Sequence, residues 1–279
     1  MVTAAVQMVS KADVSENMKA AGRLVGQAAS EGAQLVLLPE NFAVFNASAL
    51  YEWGEKEREG FLSEQVASWA REYQVWIVAG TLPERTRFPE SGDVSPGRVR
   101  TSSLVFNPRG ERQARYDKIH LFDVDVADAH GAYRESETIE PGSEGVLLKV
   151  PLNDGQQIGI GLTVCYDLRF PELYRMLAAQ GADIFTVPAA FTWETGRAHW
   201  ESLLRARAIE NQCYVIAANQ GGDHSSTRKT WGHSMIIDPW GRVVASLEEG
   251  EGVVTATLDF SAQASLRKQM PVQQHRVIL

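Results

Sequence analysis

Residues 31–40 read EGAQLVLLPE and residues 180–189 read QGADIFTVPA. Both are Gly-Ala-x-apolar-apolar-x-x-Pro, and each follows a stretch with helical periodicity, SENMKAAGRLVGQAAS in one half and PELYRMLAAQ in the other. The glycine and alanine suit a helix end, the apolar run a buried strand, and the proline its stop. Farther along, WIVAG (76–80) matches YVIAA (214–218), and SLVFNPRG (103–110) matches SMIIDPWG (234–241). The last pair predicts a strand entering a hairpin turn. Three aligned patterns in one order favour a duplicated unit of strand, helix, strand, helix, strand and hairpin over one doubly wound sheet with chance similarity. Alternating strands and helices bury a sheet under helices. Two such halves face to face predict an α/β fold, a four-layer α-β-β-α sandwich with internal pseudo-two-fold symmetry, as a single domain over residues 1–279. Surface loops are expected over 85–100, rich in Pro, Gly and Arg, and over 123–137, with a C-terminal tail at about 261–279 that wraps a neighbour or ends on the surface.

Strand ends are where open α/β sheets collect their sites, and three chemically capable side chains stand there. Glu40 follows LVLLP, Lys118 follows the first hairpin in RYDKIHLFD, and Cys165 follows QIGIGLTV. The duplicated positions lack these chemistries: Ala189 answers to Glu40, and Cys165 has its counterpart near Met8. The repeat therefore explains the strands without requiring the side chains. A helix expected near Phe170-Pro171-Glu172 would bring its positive end close to Cys165, and the backbone N–H groups of the elbow, Tyr166 first, would face an oxyanion. A carboxylate can take the thiol's proton and an ammonium can stabilise the oxyanion. Taken singly, Glu40 and Lys118 read as solvated surface groups, whereas Cys165 already favours a reactive role over an inert core thiol; the combination changes the weighting of the first two. Cys213, inside NQCYVIAA, reads as core.

Other chemistries are weaker. A Cys–His pair using His199, His233 or His120 lacks a local signature, and a hydrogen-bonded structural role is favoured for all six histidines. No metal-ligand spacing, G-x-S-x-G elbow, P-loop or G-x-G-x-x-G is present, so neither a metal nor a cofactor is expected. A formal charge of −8 without a basic run argues against a nucleic-acid or anionic-membrane partner. Two cysteines make no disulfide framework, the start MVTAAVQMVSKAD has no signal-peptide pattern, and no apolar stretch reaches bilayer length. A cytoplasmic location is the expectation.

LPENF, RYDKIHLFD and TVCYDLRFPELYR resemble the glutamate, lysine and cysteine motifs of the nitrilase superfamily of carbon–nitrogen hydrolases, in that family's order and over essentially the whole chain. The resemblance implies the same sandwich, a Glu40–Lys118–Cys165 triad acting through a thioester, and a second glutamate near the lysine, with Glu135 favoured over Glu137. CYDLRFPEL, TGRAHWESLLRARAIENQCYVIAANQ and GHSMIIDPWG look most like the branch holding deaminated glutathione amidases, with omega-amidases as the alternative. The partner implied is a small carboxylate-bearing amide. Arg169 is the expected carboxylate ligand, against a structural ion pair with Asp167 or Glu172. Phe191 and Thr192 match positions lining that branch's acyl pocket, with ordinary strand-end packing as the alternative. Many relatives carry Pro or Lys where this chain has Arg197. The resemblance also implies a homodimer, and a non-catalytic binding protein of this fold is the rival of another class.

Overall fold

The computed structural model describes residues 1–54, 60–85, 97–125, 131–152 and 155–278. The first half runs β1 (Val2–Gln7), α1 (Val14–Ser30), β2 (Leu35–Leu37), a short α2 (Leu50–Trp53), α3 (Phe61–Tyr73), β3 (Trp76–Val78), β4 (Leu82–Arg85), β5 (Val99–Phe106) and β6 (Arg112–Asp117). A small hairpin, β7 (Asp123–Asp125) and β8 (Ala132–Arg134), separates it from the second half. That half runs β9 (Val146–Pro151), β10 (Gln157–Leu162), α4 (Pro171–Ala179), β11 (Ile184–Ala189), α5 (Trp193–Asn211), β12 (Tyr214–Asn219), the ribbon β13 (Gly221–Asp223) and β14 (Lys229–Trp231), then β15 (Ser234–Ile237) and β16 (Val243–Leu247). Finally β17 (Gly252–Thr257) and α6 (Phe260–Gln269) return to the start.

The two sheets repeat one plan. In the first, β1, β2 and β3 are parallel, β5 and β6 follow antiparallel, and β17 lies antiparallel against β1. In the second, β10, β11 and β12 are parallel, β15 and β16 follow antiparallel, and β9 takes the place of β17. Strand alternation sorts side chains into layers. Ala5, Leu35, Leu37, Val78 and Val105 point between the sheets toward Ile158 and Ile160. Their neighbours Ala4, Val6, Val36, Leu38, Ile77 and Leu104 instead pack under α1 and α3, against Leu24, Val25, Val66 and Ala70. The expected α-β-β-α sandwich is the one observed.

The repeat extends to the turns. Gly32 and Gly181 both adopt positive φ where α1 and α4 end, and Gln74 and Gln212 cap α3 and α5 in the same left-handed conformation. In the hairpins, Asn107 Oδ1 accepts the N–H groups of Arg109 and Glu111, and Asp238 Oδ1 those of Trp240 and Arg242. Gly110 and Gly241 close the two turns with positive φ.

Three expectations need correction. The segment 123–137 is built rather than loose: β7 pairs with β8, and a 3₁₀ turn at Glu135–Glu137 follows, while 126–130 fall outside the described residues. Of the loop expected over 85–100, Arg85 belongs to β4 and Val99 and Arg100 to β5, while 86–96 are likewise outside the described residues. Pro188 also does not stop its strand. It lies in β11 beyond Thr186, where pairing with β10 has ended and only β12 remains alongside, a position with edge character that tolerates a missing N–H.

Candidate active site

Counting from the paired residues Thr3–Leu35 and Ile160–Ile184, Met8 and Cys165 occupy equivalent positions past β1 and β10. Met8 is buried and apolar; Cys165 starts a 3₁₀ turn, Cys165–Arg169, with φ of 48°. A left-handed conformation is unfavourable for a side chain with a Cβ, so surrounding contacts must hold it. Asp167, fully buried, supplies them. Its Oδ2 accepts the Val164 N–H at 2.8 Å and the Tyr116 hydroxyl at 2.6 Å, while its Oδ1 accepts the His120 backbone N–H at 3.1 Å and lies 2.7 Å from His120 Nδ1. The turn ends at Phe170, stacked on His120, and α4 then starts with Pro171 at its first position as expected.

Glu40 sits two residues past β2's last ordered neighbour, Leu38, with Pro39 between. The chain reverses at once: Asn41 has φ of 53°, and its N–H is bonded to Thr81 Oγ1 at 2.8 Å. A Cβ at Gly80 would stand 2.0 Å from the Pro39 carbonyl oxygen, so only glycine lets β3's end approach this corner. Gln220, at the end of β12, bonds Ser10 Oγ and the Glu40 carbonyl, tying both sheets to it. Lys118 follows β6, its backbone held by Thr101 and Gly142.

These elements converge on one ion cluster. Lys118 Nζ donates to Glu40 Oε1 at 2.8 Å and to both oxygens of Glu135 at 2.8 and 2.9 Å. Glu135 also accepts the Phe122 N–H at 2.7 Å. Glu137 lines the same cavity but is not a partner of Lys118, so the geometry separates the two glutamates the sequence left close. Lys118 and Glu40 are almost fully buried. Burial disfavours the ammonium, but the attraction of Glu135 and Glu40 outweighs it and holds the Lys118 pKa well above its usual value. Glu135 is raised by burial, with Lys118 opposing.

Burial likewise pushes the Cys165 thiol well above its usual value, Glu40 adds to this, and Lys118 and the Ala190 N–H only partly oppose. The positive helix end expected beside Cys165 does not decide its state; desolvation outweighs it. Burial thus favours the protonated form of Cys165, and any reaction at its sulfur would call for a base beside it.

A cavity of about 340 Å³ opens over the cluster. Glu40, Lys118, Glu135, Cys165, Tyr166, Arg169, Phe191 and Thr192 all line it, so the structure brings together the expected triad, the favoured second glutamate and the expected substrate-binding residues. Tyr166 packs edge-on against Phe122 and Phe170. Phe191 lies against Trp200, its N–H bonded to Asn219, and Thr192 leads into α5 with its hydroxyl on Thr195. Arg169 forms no ion pair with Asp167 or Glu172. Its guanidinium stands over the Tyr166 and Phe191 rings and touches His199 at 3.3 Å. No histidine among the described residues lines the cavity; His120, His199 and His233 are engaged elsewhere. Arg197 also lies off the cavity, exposed and paired with Glu194 at 3.3 Å.

Sequence reasoning missed Phe45, Phe122, Tyr133 and Arg228, which complete the walls. Tyr133 stands two residues before Glu135 in AYRE, near enough to suspect; Arg228, in the polar run SSTRKT, gave no signal.

Fold and site together define the class: the chain belongs to the carbon–nitrogen hydrolases of the nitrilase superfamily, matching that family over residues 2–268. It is 45% identical over 273 residues to the deaminated glutathione amidase of Yersinia enterocolitica, covering 98% of this chain and 91% of that one. It is 35% identical to omega-amidase NIT2 of Xenopus tropicalis, covering 97% and 93%. Among solved structures, Saccharomyces cerevisiae Nit3, a member of branch 10 of the superfamily, superposes with a TM-score of 0.84 at 30% identity, covering 100% and 97%.

Proposed function

We propose that the protein hydrolyses deaminated glutathione through a thioester on Cys165. The observation that carries this is the buried Lys118 ammonium held 2.8 Å from Glu40 on the cavity floor that Cys165 shares. Glu40 removes the Sγ proton as sulfur attacks the amide carbonyl. Lys118 and the Tyr166 N–H, which none of the turn's backbone hydrogen bonds engages, stabilise the oxyanion. The carbon–nitrogen bond breaks, the leaving nitrogen takes the proton from Glu40, and the acyl group stays on sulfur. Glu40 then deprotonates water, which cleaves the thioester and returns the thiol. Glu135 orients Lys118 throughout. Arg169, on the nucleophile's own turn, holds the carboxylate of the acyl half between Phe191 and Thr192.

The substrate is supported by the relatives and by the shape of the charge: a chain of net −8 needs a local cation to admit an anion, and Arg169 has no carboxylate partner among the described residues. Turnover of deaminated glutathione and of alpha-ketoglutaramate should be compared directly. Preference for the former is expected; strong preference for the latter would overturn the substrate and leave the chemistry. Cys165→Ala should abolish hydrolysis, and Glu40→Gln should lower kcat by about 10²–10⁴-fold. Mass spectrometry of a quenched reaction should find the acyl adduct on Cys165. Unchanged hydrolysis in Cys165→Ala would refute the mechanism.

The protein is also read as a cytoplasmic homodimer. No described helix is long and apolar enough to cross a membrane. Ile209 and Trp240 are exposed on neighbouring turns beside α5. Analytical ultracentrifugation that finds only monomer would refute the pairing.

A further inference from the structure

Three guanidinia line the cavity: Arg134, which is paired with Asp125 at 2.7 Å, Arg169 and Arg228. Arg228 lines it from the segment entering β14, and has no carboxylate partner among the described residues. Other arginines of this chain that lie near carboxylates are paired with them: Arg115 with Glu84 and Asp117, Arg100 with Asp117 and Glu140, Arg267 with Asp183. The two unpaired guanidinia hold different walls. Arg169 stands over Tyr166 and Phe191, whereas Arg228 stands over Phe45 at 4.5 Å and Tyr133 at 5.8 Å.

Arg228 is also held in place. Phe45 is sandwiched between its guanidinium and the His224 ring, 3.9 Å away on centroids. Its N–H is bonded to Ser225 Oγ, its carbonyl accepts the His224 N–H, and β14 is joined to the pocket wall by the Thr192–Thr230 bridge and the Trp231 N–H to Phe191 bond. Within this support its Nε is buried with no acceptor among the described residues. A buried donor left without a partner is costly, and an anion in the cavity would supply one.

We infer that Arg228 binds the carboxylate of the leaving peptide and sets the specificity of the enzyme for amides whose departing amine is itself an anion. The inference rests on the substrate proposed above. Deaminated glutathione has a carboxylate at each end, one beside the ketone of the acyl half and one on the C-terminal glycine of the leaving half. Alpha-ketoglutaramate has only the first and releases ammonia. A single cation would suffice for the smaller amide; two, on separate walls, match the longer one. Arg169 keeps the acyl carboxylate through both chemical steps, and Arg228 is needed only until the carbon–nitrogen bond breaks.

The test compares deaminated glutathione with its C-terminal glycinamide, which lacks the distal charge. For the wild-type enzyme kcat/KM should favour the acid by about 10–100-fold, the range of a charge-assisted hydrogen bond. In Arg228→Gln that ratio should collapse toward one, and Arg228→Lys, which keeps the charge without the fork, should retain part of it. The ratio is read within each variant, so a loss of folded enzyme does not mimic the result. A wild-type ratio near one, or the same ratio in Arg228→Gln, overturns this inference alone. Failure of the wild-type enzyme to hydrolyse the acid at all overturns the substrate proposal and this inference with it.

Discussion

At the scale of single residues, the site is held by polar groups that do not line the cavity, Asp167 and His224. Asp167 uses both oxygens as acceptors, two bonds on each, and an asparagine there would turn one acceptor into a donor facing either an amide N–H or a hydroxyl. Asp167→Asn should cost about 2–4 kcal/mol of stability, measured by chemical denaturation. It should also depress kcat, because the strained Cys165 conformation depends on that acceptor. His224 makes a second case. Its imidazole is buried between Ser10 and Thr230, and burial, with Arg228 and Lys11 repelling a proton, lowers its pKa to about 4 against the pull of the Ser10 carbonyl. The folded value lies below the unfolded one, so the unfolded chain binds the extra proton and stability falls as pH drops from about 6.5 toward about 4. Between pH 7 and 5 this amounts to about 2 kcal/mol. Denaturation at the two pH values should show His224→Gln losing that much less than the wild type; equal losses would mean that His224 does not carry the dependence.

At the scale of elements, the strands deliver the chemistry and one glycine governs the delivery. Gly80→Ala would drive a Cβ into the Pro39 carbonyl at 2.0 Å and strain the φ of 43° there. The corner carrying Glu40 must then shift, so the variant should lose stability by several kcal/mol and most activity together, read as Tm and as kcat. An active variant of normal Tm would show that the corner has slack. The strands themselves were legible because the duplicated pattern repeats apolar alternation, glycine stops and Asx hairpin turns. Legible too were Glu40, Lys118 and Cys165, since each closes a recognisable strand. The hairpin β7–β8 was not: DVD and AYR are too short and too polar to show a period of two. Arg228 was hidden for a related reason. Its meaning comes from Phe45, almost two hundred residues away, and no local pattern announces a stacking partner at that distance.

At the scale of the whole molecule, the chain closes on itself, and the same closure separates stability from function. β17 pairs along the length of β1, and the N-terminal amine reaches the Leu258 carbonyl, so the first sheet is completed only by the chain's last strand. Sequence reasoning could not see this, since the matched patterns stop at the two hairpins, and neither β17 nor its counterpart β9, which follow them, carries a recognisable signature. α6 then packs across the starts of β11 and β12, the end opposite Cys165. Gln263, buried, donates to the carbonyls of Asp183 and Gln212. Arg267 pairs with the Asp183 carboxylate at 2.6 Å and also reaches the Ala182 and Gln212 carbonyls and the Cys213 sulfur. Burial pushes the Cys213 thiol up to about 12, so at neutral pH it is protonated packing rather than chemistry. Removing these donors leaves buried carbonyls and a half-buried carboxylate without partners. The double variant Gln263→Ala, Arg267→Met should therefore lose about 2–5 kcal/mol in denaturation. Its kcat and KM at 25 °C should stay within about twofold of the wild type, because the lost contacts lie at the strand starts and the chemistry at the strand ends. A variant of full stability would show that α6 merely rests on the sheet, and one of normal stability with impaired kcat would show that the two ends of the strands are coupled.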